Sequence, residues 1–184
     1  ADHWDALPAT LRNTPAVVRA YADRAAALRW DDAAARSLEQ AIDAHWDESL
    51  AAYYGALPVE RLDAAALERR REHAEHWLRA HPASSGALLG VARLARAQGQ
   101  WPQAEQTLHR AIAQGGGSEA WEALGDGFTQ AGDDTRARLC YRNALRAARD
   151  RAIEPVPGRD LKQQILAEAA IEERDAHGLP RLRG

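Results

Sequence analysis

Apolar and small residues recur along most of this chain at intervals of three and four, the signature of a helix with one buried face. In one stretch they fall at Leu88, Val91, Ala92 and Ala95, stop at Gly99, then resume at Ala104, Leu108 and Ala111. A second stretch runs Trp121, Leu124, Gly125 and Phe128, stops at Gly132, and resumes at Ala137, Tyr141 and Ala144. Every member of the second set lies 33 residues after its counterpart. Helix, glycine break and second helix at a fixed interval predict hairpins stacked in a row. Ala92 and Gly125 on the first helices, with Ala104 and Ala137 on the second, let paired axes approach to roughly 8–10 Å. Leu88, Leu108, Trp121, Phe128 and Tyr141 fill the gaps three and four positions away. Gly99 and Gly132 stand where a helix ends in a left-handed residue.

The Trp-Leu-Gly-aromatic, Ala, aromatic, Ala order is the tetratricopeptide (TPR) pattern. The predicted fold is therefore all-α: a TPR-like α-α superhelix, a right-handed solenoid of helical hairpins with a C-terminal capping helix. The template extends backwards through Val18, Tyr21, Ala22, Ala25, Ala34, Leu38 and Ala41. There Arg29 replaces the inter-helix glycine, and Asp31 or Asp32 is placed to cap the next helix. Four units follow, at 15–48, 49–84, 85–117 and 118–150. The second is irregular, with a short helix over 49–57 ended by Pro58, a loop over 59–64 and a long helix over 65–81. Gly115-Gly116-Gly117 reads as a flexible separator. Residues 1–14 form an N-terminal segment, 151–159 a Pro/Gly linker, 160–177 a capping helix opened by Asp160, and 178–184 a tail.

Composition adds exclusions. Acids and bases are interspersed and the formal charge is −3, so no single-sign field marks a nucleic-acid or anionic-membrane surface. The lone Cys140 rules out an internal disulfide and reads as a small buried hydrophobe. No 18-residue apolar run is present to span a bilayer. The chain begins Ala1-Asp2-His3-Trp4 and holds no methionine, which suggests a piece of a longer precursor.

Several local segments lie outside the general repeat pattern. They are His45-Trp46-Asp47-Glu48-Ser49-Leu50 with Tyr54-Gly55-Ala56-Leu57, and Ala74-Glu75-His76-Trp77-Leu78-Arg79-Ala80-His81-Pro82. With Ala20-Tyr21-Ala22, Gly99-Gln100-Trp101-Pro102-Gln103-Ala104 and Glu119 through Gly125, they resemble the HemY family of proteobacterial TPR proteins. The resemblance covers Asn13 to about Ala148 and departs from the family at Gln100–Gln103 and at the glycine run. It implies a soluble tail of an inner-membrane protein, anchored through an N-terminal segment missing here, that binds enzymes or carriers of late haem biosynthesis. The side of the membrane stays open. Two alternatives are a TPR domain of cytochrome c maturation, binding apocytochrome peptides, and a haem or porphyrin carrier.

The candidate site is the groove. Its expected lining, from the first helices, is Arg19 and Asp23, then Leu89, Arg93 and Arg96, then Glu122, Asp126, Thr129 and Gln130. Alternating charge of this kind suits a protein or peptide ligand. No cofactor is called for. His73 and His76 share a helix face with Glu72 and Glu75, yet a third metal ligand is lacking. An axial haem ligand from His45, His76, His81 or His109 stays open, with nothing to single one out, beside their plainer reading as surface residues. Arg69-Arg70-Arg71, flanked by Glu68 and Glu72, reads as a solvated face. Trp30, Trp46, Trp77 and Trp101 are expected to bridge packed helices at turns; Trp4 has no assignment. No nucleophile-and-base set emerges, so the chain is read as non-enzymatic.

Overall fold

The computed structural model describes residues 14–168 together with Pro8 and Leu11. Trp4, the end of the expected capping helix and the 178–184 tail lie outside the described residues. Among those described there are nine helices and no strand. They are α1 (Pro15–Ala27), α2 (Asp31–Ala44), α3 (Glu48–Tyr54), α4 (Ala64–Ala80), α5 (Ser85–Ala97), α6 (Trp101–Ala113), α7 (Gly117–Gln130), α8 (Asp134–Ala147) and α9 (Leu161–Glu168). Sequential partners α1–α2, α5–α6 and α7–α8 pack closely. The first helix of each hairpin also lies against the next first helix, α1 on α3, α3 on α5 and α5 on α7. Second helices bridge forward, α2 to α3, α4 to α5 and α6 to α7. This is a TPR-like superhelix.

Three hairpins share one turn. Arg29, Gly99 and Gly132 adopt φ of 62°, 75° and 78°. The next residue's N–H then reaches back over the helix end: Trp30 to Ala25 O at 2.8 Å, Gln100 to Ala95 O and Asp133 to Phe128 O at 2.9 Å. Neither Asp31 nor Asp32 caps α2, contrary to expectation. Trp30 holds the N-cap without a side-chain bond, and Asp31, one residue inside, instead receives Arg61 at 2.7 and 2.5 Å.

The second hairpin is irregular for a physical reason. Tyr54 and Trp77, edge-to-face with centroids 5.0 Å apart, stand between α3 and α4 where small residues would draw the helices together. The helix α4 leans instead on α5. It is also held to α2 by the Trp77 indole N–H, which donates to Asp43 at 2.7 Å. Between α3 and α5 the approach is tight. A Cβ on Gly90 would lie 2.6 Å from Ala51 O, and one on Gly55 would strike the Gly90 backbone.

Several expectations are corrected. Arg70 and Arg71 do not face solvent; they are 5% and 9% exposed. Arg70 donates to Pro58 O at 3.0 Å, and Arg71 binds Glu75, Gln98, Gln100 and Gln103, bolting α4 to the third hairpin. Trp30 is not enclosed between helices as expected; it is 48% exposed. Tyr141 lies partly open, its ring against Gly125. The Gly115–Gly117 run is not merely a spacer: a Cβ on Gly116 would meet Ala111 O and the Ala120 methyl at 2.8 Å. Cys140 is fully buried, and burial pushes its thiol up to about 12, far from reactivity.

Asp160 accepts the Gln163 N–H at 2.7 Å at the start of α9. The described turns of α9 lie against α6. No helix among the described residues is long and apolar enough to cross a membrane.

Candidate functional site

A hollow of about 710 Å³ is lined by residues from the first helix of all four hairpins. The helix α1 contributes Arg19, α3 contributes Ser49, Ala52 and Tyr53, α5 contributes Leu89 and Arg93, and the start of α7 contributes Glu119 and Glu122. The helices present these residues because a 3.6-residue period puts positions three and four apart on one face, here a face that borders the one packed within the hairpin.

The expected lining residues divide into groups. Arg19, Leu89, Arg93 and Glu122 line the hollow together. Asp23 borders it, accepting the Tyr53 hydroxyl, while the Arg19 guanidinium lies over the same ring at 4.6 Å from its centroid. Burial and then the Asp23 carboxylate push the Tyr53 phenol well above its ordinary range, so it stays a neutral donor. Arg96, Asp126 and Thr129 form a second cluster further along. Arg96 meets Asp126 at 3.4 Å, and the Tyr141 hydroxyl lies 2.9 Å from Asp126 and 3.2 Å from Thr129. Gln130 joins neither; it lines a small recess with Arg96 and Trp101.

Arg93 is built in more firmly than a recognition residue need be. It donates to Ala52 O at 3.0 Å and pairs with Glu119 at 3.3 Å, joining α3, α5 and α7. Burial lowers its pKa. Arg19 and Glu122 are exposed and more readily available to a ligand.

The sequence reading missed α3's share of the wall. Ser49, Ala52, Tyr53 and Ala56 follow the same three-four spacing, but the irregular hairpin hid their register. It also missed Glu48, whose carboxylate occupies the N-terminus of α5 beside the hollow. It accepts from Ser84 Oγ at 3.0 Å, Ser85 Oγ at 2.7 Å and the Gly86 N–H at 2.8 Å. Burial raises its pKa, and these hydrogen bonds more than offset that, leaving Glu48 below the ordinary value.

His73 and His76 do not assemble a metal centre. His73 contacts Asp43 at 3.5 Å, its ring tilted 59° against Trp77 at 4.7 Å between centroids, and no group of three ligating side chains forms among the described residues. His109 is not a surface residue: it is 6% exposed, with Nε2 enclosed by protein.

The sequence model of the tetratricopeptide repeat family matches residues 87–119 and 120–154. No curated protein and no solved structure matches the chain. With that match lying on helices that already stack hairpin upon hairpin, residues 87–154 are two consecutive tetratricopeptide repeats within a TPR-like superhelix.

Proposed function

We propose that this chain is a non-enzymatic docking domain whose groove holds a segment of a partner polypeptide. One observation carries the reading: a single hollow lined by the first helix of every hairpin, with charges of both signs on its wall. Tetratricopeptide repeats generally bind proteins or peptides, and mixed charge selects register and orientation more than it supplies raw affinity. The neutral Tyr53 hydroxyl and the Arg19 and Glu122 side chains are the groups that would recognise the segment.

On the HemY resemblance, the partner is an enzyme or carrier of the late haem pathway at the inner membrane. That finer reading rests on the segments quoted from the sequence. The test compares the wild-type chain with an Arg19→Glu, Glu122→Arg double variant as baits in a bacterial lysate, after matching their thermal melts. Enrichment of porphyrin-pathway enzymes by the wild type, reduced at least tenfold by the double variant, is the expected result. Enrichment of apocytochrome c instead would move the partner to cytochrome maturation. Equal recovery of partners by both baits would remove the groove from the account.

A further inference from the structure

The segment after α8 folds back on the stack as a strap. Asp150, at φ 50°, turns the chain, and α9 comes to rest on α6. Between them the strap is tied at Glu154. Asn143, fully buried, donates to Glu154 O at 2.8 Å and accepts the Glu154 N–H at 3.0 Å. The Glu154 carboxylate takes Arg142 at 3.1 Å and Arg146 at 2.5 Å.

Beneath this strap lies His109 of α6. Two cavities flank the ring, one of about 340 Å³ toward Trp121 and Val156, one of about 440 Å³ toward Glu105 and Gly158. His109 and Arg159 line both. Among the described residues, His109 Nε2 is the one buried side-chain nitrogen or oxygen with no hydrogen-bond partner. An imidazolium there would be a buried cation with no acceptor at that nitrogen.

The surrounding charges make matters worse for a cation. From the strap comes Arg159, and from α8 comes Arg136, both positive. The strap's Glu154 is engaged by Arg142 and Arg146. On α6 itself, Glu105 is 3.6 Å from Arg136 and is held above the ordinary carboxylate range by burial. The Asp133 carboxylate is taken by Arg136 at 2.6 Å, and α7 presents the uncharged Trp121. We propose that residues 151–168 form a pH-gated latch, docked on α6 while His109 is neutral and released when His109 takes up a proton.

The sign follows from linkage. Burial, then Arg159 and Arg136, lower the His109 pKa from 6.5 to about 3 when the strap is docked. A lifted strap lets the ring return toward 6.5. Docking is therefore unaffected above pH 6.5 and weakens by about tenfold per pH unit below it, until the docked ring itself protonates. Release would uncover the apolar surface of Ile112 and Trp121.

The test is amide hydrogen exchange on the whole chain from pH 7.5 to 5, corrected for the intrinsic rate, following the Glu154 amide. The expected result is an opening constant that rises about tenfold between pH 6 and 5 while the α1 and α2 amides keep their protection. His109→Phe and His109→Gln, which carry no titrating ring, should give flat profiles. A flat wild-type profile, or the same rise in both variants, overturns the latch. Should the variants not fold, the wild-type imidazole resonances decide: a His109 titrating at or above pH 6.5 overturns it, and one titrating well below supports it.

Discussion

Arg29 performs with a side chain what Gly99 and Gly132 perform without one. All three hold positive φ at the same turn, and each turn closes through the same backbone bond. An L-residue in that conformation brings its Cβ against the carbonyl oxygen, a cost of roughly 1–2 kcal/mol that glycine escapes. Glycine gives back part of this by loosening the unfolded chain. The expected net effect of Arg29→Gly is stabilisation by about 0.5–1 kcal/mol, read as a higher urea midpoint with an unchanged slope. A lower midpoint would mean that the Arg29 side chain has a compensating contact in the first hairpin.

Among the elements, the joint between α3 and α5 separates this chain from a row of identical repeats. Gly55 and Gly90 face each other so closely that neither tolerates a Cβ without movement of backbone. Gly90→Val should therefore force α3 away from α5 at a cost of about 3 kcal/mol, since overpacked backbone cannot relax as a long side chain can. Circular dichroism should stay helical while the thermal midpoint falls; an unchanged midpoint would sink the close-approach account. The same joint shows what the sequence could reveal. Ala92, Ala104, Gly125 and Ala137 announced the last two hairpins, because a 33-residue period repeats one steric requirement twice. Gly55 and Gly90 had no partner in register, so their contact was invisible until the helices were placed. Arg70 and Arg71 were misread for a related reason. Their acid neighbours along the helix suggested a solvated face, whereas their partners came from Pro58 and from glutamines 27 to 32 residues away. The segments that prompted the HemY resemblance also concentrate here: Trp46 stacks on His81 at 3.9 Å, Asp47 caps α3, and Trp77 binds Asp43. Their first role is architectural.

Across the whole molecule, the groove exists only while the hairpins keep their relative angles, and ionised joints set those angles. Glu48 is the most consequential, because it ties the α3 wall of the hollow to the N-terminus of α5 through three hydrogen bonds and a helix dipole. Its folded pKa lies below the ordinary 4.5, so its contribution is fully present above pH 4.5 and is lost as pH falls through the folded value. Glu48→Gln keeps the shape and one amide oxygen but removes the charge. At pH 7 it should cost about 1 kcal/mol, a figure kept low because the carboxylate remains partly open to solvent. Below pH 4.5 the wild-type and variant urea midpoints should converge, whereas His109 acts earlier, from pH 6.5 downward, and on the strap alone. An acid profile that begins to fall at pH 6.5 and steepens below pH 4.5, with only the steeper part abolished by Glu48→Gln, would show that the groove and the strap answer to different protons. A gap between wild type and Glu48→Gln that persists undiminished at pH 3 would mean that the joint holds through shape and neutral hydrogen bonds, with the carboxylate charge irrelevant to it.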